Sequence, residues 1–208
     1  MRIALKTILL LTGIFIATTP VARAVIGTST TITFGELPAQ PVDGLNILGV
    51  TFGFKINGVA SSDATFGTTL GPGNTPFLSP PHLEGNTLGH LMLDFAIPVV
   101  FLQFGSHLSL EDSVTGALGV QLFDISMSPL GGLRSLDMTP SPIFAGALFQ
   151  YDGAAASHAR IQFNDQAATR FAIDTLTFIP VPEPNLAWLI VPALAGVIYL
   201  RRRSARRA

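Results

Sequence analysis

Four histidines (His82, His90, His107 and His158) and thirteen carboxylates are the side chains of this 208-residue chain best suited to move protons or hold a metal. His82 and His90 flank Glu84 in a stretch that reads as a loop. Their spacing fits neither the H-E-x-x-H pair of a zinc helix nor a cupin pattern, and solvated loop histidines explain them better. Gly105-Ser106-His107 sets a serine beside a histidine but lacks the G-x-S-x-G turn that exposes a nucleophile, and no acid is placed by sequence to complete a triad. The chain has no cysteine, which excludes disulfides, thiolate zinc sites and cysteine nucleophiles together. Phosphate loops and dinucleotide fingerprints are absent. The residues read as those of a non-enzyme, with a secreted hydrolase as the outlying alternative.

The elements that must position these residues are set by an uneven charge distribution. Only 12% of the residues are charged and 48% are hydrophobic; the charged share is about half that of an ordinary soluble domain. Arg2, Lys6 and Arg23 open the chain, and Arg201, Arg202, Arg203, Arg206 and Arg207 close it. Between Val25 and Pro180 four basic residues face twelve acids, a net charge of −8. Such a body repels nucleic acid.

Each end reads as a membrane-directed segment. Residues 1–24 form a secretory signal peptide: Arg2 and Lys6 supply the charged start, Ile8–Ala17 the apolar run, and Ala22-Arg23-Ala24 the small-residue exit, with Val25 as the mature start. Near the other end, residues 185–200 form an uncharged run followed by the arginine-rich tail 201–208. Leu186–Leu200 as a helix spans roughly 22 Å, at the short limit for a hydrocarbon core of ~30 Å. Trp188 and Tyr199 stand near its ends, as interfacial rings do. The positive-inside rule puts the arginines in the cytoplasm and residues 25–180 outside, the orientation a signal peptide also demands. Just before the span, Val181-Pro182-Glu183-Pro184 holds Glu183 between two prolines that keep the backbone extended.

The combination of Pro182-Glu183-Pro184, the apolar span and the basic cluster resembles the PEP-CTERM sorting signal of Gram-negative bacteria. The resemblance covers residues 181–208, with 181–184 as the motif. It implies processing by signal peptidase and by an exosortase, a membrane transpeptidase-like enzyme. It also implies transient residence in the inner membrane with a periplasmic body, then transfer to the cell surface or the extracellular matrix. Such systems accompany exopolysaccharide and biofilm formation. Sorting says nothing of what the attached body does.

That body, residues 25–180, reads as strands cut by turns. Val50, Phe52, Phe54 and Ile56 alternate with smaller or polar residues, and Asn57-Gly58 follows as a type I′ hairpin signature. Leu91, Leu93, Phe95 and Ile97 alternate likewise, and Pro98 is expected to stop the run. Further strands are expected at Thr30–Phe34, Val100–Phe104, Ala117–Ile125, Ala147–Tyr151, Ala159–Phe163 and Phe171–Phe178, with Gly71–Pro81 as a long loop. No window keeps helical periodicity for ten residues. The inward phase changes at Asp174-Thr175, which predicts a β-bulge. The expected fold is all-β, an antiparallel two-sheet sandwich of jelly-roll type. Phe101, Phe104, Phe123 and Phe163 are its expected core rings.

Ile32–Pro38 and Phe171–Phe178 resemble the first and closing strands of PEP-CTERM ectodomains and of jelly-roll carbohydrate-binding modules. In some of those modules an acid from each end meets at a structural calcium ion, and Glu36 and Asp174 are the matching positions. Two acids fall short of the six to eight oxygens calcium takes, so solvated carboxylates remain the simpler reading and no cofactor is required. The body has no Trp and one Tyr, Tyr151, which argues against an aromatic platform for sugar. The expected role is structural or adhesive, in an exopolysaccharide matrix. The alternative is a carbohydrate-binding module that retains the polysaccharide, with Tyr151 the residue to test first.

Overall fold

The computed structural model describes residues 27–69, 73–140 and 144–181. Every regular element among them is a strand, and every pairing is antiparallel. In chain order these are β1 Thr30–Ile32, β2 Gln40–Pro41, β3 Asn46–Ile47, β4 Val50–Ile56, β5 Val59–Ala60, β6 Ala64–Thr68, β7 His82–Asn86, β8 Gly89–Leu108, β9 Val114–Phe123, β10 Arg134–Pro140, β11 Ala145–Phe163 and β12 Arg170–Pro180.

Two long strands, β8 and β11, run through both layers. The first half of β8 pairs with β4 and with the second half of β11, which also carries β9. The second half of β8 pairs with β12 and with the first half of β11. β11 loses register at Asp152–Ala156, opposite Phe101 and Val99, so both strands bend at one place. Pro98 therefore does not end the run, as the sequence suggested; it lies within β8 beside the break. A proline lacks only its own N–H, and a corner where strands change layers tolerates that loss.

The layers face each other across aromatic side chains. Phe95 of one layer meets Phe178 of the other, with centroids 5.7 Å apart. Phe163 stacks on Phe171 at 3.8 Å and an interplanar angle of 8°, and Phe54 approaches Phe171 at 6.0 Å. Phe104 and Phe163 are core residues as expected, whereas Phe101 and Phe123 are half-buried. Leu102 and Phe104 take the inward phase of β8, which leaves Phe101 outward. Phe123 lies outward beneath the Arg160 guanidinium, 5.8 Å from its ring centre.

Two local expectations hold in detail. Asn57 and Gly58 both have positive φ (53° and 80°), as a type I′ turn requires. β12 shifts register against β8 between Asp174 and Thr177, with Thr175 at φ 52°. Among the described residues no helix is long and apolar enough to cross a membrane. The signal peptide, Pro182-Glu183-Pro184, the apolar span and the basic tail lie outside the described residues.

Candidate functional site

Antiparallel register decides which polar residues share a face. His107 pairs with Ala172 of β12 and Gly146 of β11, Gly105 pairs with Asp174 and Leu148, and Ala172 pairs with Glu84 of β7. Paired residues point the same way, so these side chains occupy one face, turned away from the aromatic core. Gly146 makes room for the imidazole, since a Cβ there would stand 2.6 Å from His107 Nε2.

The segment 73–81 lies across that face. The Phe77 carbonyl rests directly on Gly105, in the space a Cβ would fill. Thr75 Oγ1 and His107 Nε2 are 2.8 Å apart, and the Ser79 amide donates to Asp174 Oδ2 at 2.7 Å. The Thr175 amide donates to Asp174 Oδ1 at 2.6 Å, so the bulge aims the carboxylate while its two oxygens hold two backbone groups. His82, His107 and Asp174 are thus enclosed rather than solvated as the sequence suggested, at 0%, 1% and 4% exposed. Sequence spacing could not find the cluster, because β7, β8 and β12 each contribute one member.

Enclosure lowers the His107 pKa to about 4, with a smaller contribution from His82. Burial raises the Asp174 carboxyl, against the opposing pull of the Ser79 and Thr175 amides. At neutral pH His107 is uncharged and its Nδ1 has no partner among the described residues.

Ser106 and His107 do not form a nucleophile pair. Neighbours in a strand point to opposite faces, and the Ser106 hydroxyl donates to the Ala172 carbonyl at 3.2 Å. His158 Nδ1 lies 2.7 Å from Asp94 Oδ1 on the other layer, away from this cluster. His90 is exposed and apart from His82. Glu36 turns back on its own loop, its Oε1 accepting from the Thr33 amide at 2.6 Å and the Thr33 hydroxyl at 2.9 Å. Glu36 and Asp174 are thus engaged separately. Among the described residues no three His, Asp or Glu side chains are grouped to hold a metal ion, and the donor set falls short of what calcium takes.

Beyond His107 the same face opens into a small cleft of about 90 Å³ between Glu84, Arg170, Ala172, Ser109 and Phe144. Arg170 Nε donates to Glu84 Oε1 at 2.8 Å across its rim, and the Arg170 amide donates to Ser109 Oγ at 3.1 Å. The cleft joins an apolar wall to an ordered charged pair. Tyr151 has no part in it: the ring is 2% exposed and its hydroxyl donates to the Ala154 carbonyl. Arg170 and Ser109 carry no local motif that marks them in the sequence, and Glu84 stands out there only as a neighbour of two histidines.

Gly105 is a direct test of how segment 73–81 is held. Gly105→Ala is expected to destabilise the protein by about 2 kcal/mol, because the methyl meets backbone that cannot rotate aside. Gly132→Ala, where nothing lies within 4 Å, is expected to change little. Urea unfolding of the two variants compares them, and equal midpoints would mean that segment 73–81 is not seated on Gly105.

No protein-family model matches this chain, and neither does any curated protein. Among solved structures the chain is similar to a mutant of the family 29 carbohydrate-binding module CBM29-2 complexed with mannohexaose, at 13% identity over 74% of this chain and 92% of that one, TM-score 0.39. A second CBM29-2 mutant, complexed with cellulohexaose, aligns at 10% identity over 72% and 90%, TM-score 0.37. The cleaved adhesin domain of Lys-gingipain from Porphyromonas gingivalis W83 aligns at 13% identity over 74% and 99%, TM-score 0.43.

Proposed function

We propose that this chain is an exported, non-catalytic surface protein with a jelly-roll-type body, sorted through Val181-Pro182-Glu183-Pro184 into the cell surface or extracellular matrix, where its body retains polysaccharide. The observation that carries the binding role is the cleft beside His107. Its wall of Phe144 and Ala172 suits the apolar face of a sugar ring, and the Glu84–Arg170 pair with Ser109 offers hydroxyl partners. The test is retention of host exopolysaccharide by the full chain. Arg170→Gln and Phe144→Ala are each expected to lower retention about tenfold, the equivalent of 1.4 kcal/mol, with melting temperatures close to the parent. Undiminished retention by both folded variants would remove the cleft from the binding role.

The sorting role rests on the sequence of residues 181–208, with signal peptidase and an exosortase as processing partners. Glu183→Ala is expected to leave the protein in the inner membrane with residues 186–208 attached. Intact mass of the membrane and medium fractions reads this directly, and release of the variant at the parent rate would refute the assignment.

A further inference from the structure

The strand ends gather at one pole of the body, and its surface differs from the opposite pole. Val50 pairs with Phe95, Phe123 with His158, and Pro180 with Val99, so the Leu48–Gly49 turn, the Ile97–Pro98 bend and the turn after Phe123 stand at the same level. Leu48, Ile97, Ile125 and Met127 are exposed there by 56%, 42%, 76% and 51%. Ala154 and Ala155 at the β11 bend are exposed beside them.

These side chains are held outward. Asp124 Oδ1 accepts the amides of Ser126 and Ser128 at 2.8 and 2.9 Å, which fixes the turn carrying Ile125 and Met127. Leu48 and Met127 have φ of 49° and 60°, a region where Asn or Gly is relaxed and a larger apolar residue is unusual. The charges near this pole are Asp124, Asp152 and the Asp94–His158 pair, with Arg160 over the Phe123 ring at 5.8 Å and Arg134 over the Tyr151 ring at 4.8 Å. The opposite pole also exposes Val59 and Leu88, but among Lys55, Asp63, His90, Glu111, Asp112 and Asp165.

Both membrane-directed segments of the sequence join the body at the apolar pole. The Val181 amide donates to the Pro98 carbonyl at 2.7 Å, and residue 181 leads within four positions to the uncharged run 185–200. Gly27, three residues after the signal peptide, lies against the Pro180 carbonyl with no room for a Cβ. Four residues of chain are too short to carry the body far from the bilayer, since each spans at most about 3.6 Å.

We propose that this pole is a membrane-facing surface, with Leu48, Ile97, Ile125 and Met127 resting in the headgroup region of the bilayer until the tail is processed. The proposal rests on the membrane-tail reading above. A shallow contact of this kind strengthens with the apolar area it buries at the interface, and it holds the segment around Glu183 at the membrane surface, where an integral processing enzyme works.

The absence of native cysteine makes the test clean. Leu48→Cys, Ile125→Cys and Val59→Cys would each be labelled with a polarity-sensitive fluorophore. Each full chain would then be reconstituted into phosphatidylethanolamine–phosphatidylglycerol vesicles containing headgroup-proximal nitroxide lipid. Trp188, the only tryptophan and expected near the membrane interface, reports tail insertion separately in vesicles that carry a shallow acyl-chain nitroxide instead. Quenching several-fold stronger at 48 and 125 than at 59 is expected, with Trp188 quenched. Quenching at 48 and 125 without Trp188 would support the surface and remove the tail reading. Quenching of Trp188 alone would overturn the surface and leave the tail intact, and quenching at neither would overturn both. Blue-shifted but unquenched labels at 48 and 125 would put a second copy on this pole and overturn the lipid assignment.

Discussion

Phe171→Ala is expected to destabilise the body by about 4 kcal/mol, the largest effect of any single truncation considered. Phe171 is 1% exposed and stacks on Phe163 at 3.8 Å while meeting Phe54 at 6.0 Å. Gly85 passes beneath the ring, where a Cβ would stand 2.6 Å from it. The ring therefore joins β4, β7, β11 and β12, and the hole left by its loss cannot close by moving one side chain. For a body of this size the loss corresponds to a fall of roughly 8–16 °C in melting temperature. Phe123→Ala, on the outer face beneath Arg160, is expected to cost only about 1 kcal/mol. Thermal and urea unfolding measure both. Similar losses at the two positions would mean that the rings at the far pole do not bear the inter-layer packing described.

The second large effect is a dependence of stability on pH that runs through His107. Its pKa falls from 6.5 in the unfolded chain to about 4 in the fold, so the fold favours the neutral ring. The stability this group supplies is complete above pH 6.5. It is lost as the pH falls toward 4, where the unfolded chain binds the proton and the folded chain resists it. The loss reaches about 3 kcal/mol below pH 4. Asp174 acts in the opposite sense: its raised pKa means that its folded form gains on protonation, which returns part of the loss at acid pH. Urea midpoints measured from pH 7.5 to 4 should therefore decline steeply in the parent and more gently in His107→Gln. Parallel curves would show that a group other than His107 carries the titration. Local proteolysis within 73–81 should rise over the same range, since Thr75 is held to His107.

Hydrophobic alternation made β4 legible to the residue, and Asn57-Gly58 named its turn, because both are local consequences of backbone chemistry. The phase change in Phe171–Phe178 located the Asp174–Thr175 bulge for the same reason. β6, β7 and β10 went unseen. Ala64–Thr68 and His82–Asn86 are short and half polar, and Arg134–Pro140 is mostly exposed. What makes them strands is the partner beside each, which no window of sequence contains. Pro98 misled because its meaning depends on whether the neighbouring strand bends with it.

The sequence by itself determined the all-β antiparallel character, the acidic body and the two apolar ends, since period-two burial, charge and hydropathy are properties of nearby residues. Only the tertiary structure decided which outward residues meet. Glu84, His107, Asp174 and Arg170 lie on three strands, and register across β7, β12 and β8 puts them on one face. Register also turned Ser106 away from His107 and enclosed Tyr151. It set the apolar turns at 48 and 125 at the pole where residues 27 and 181 leave the body. Pairing between distant segments fixes such neighbours, and a one-residue slip would reverse every face.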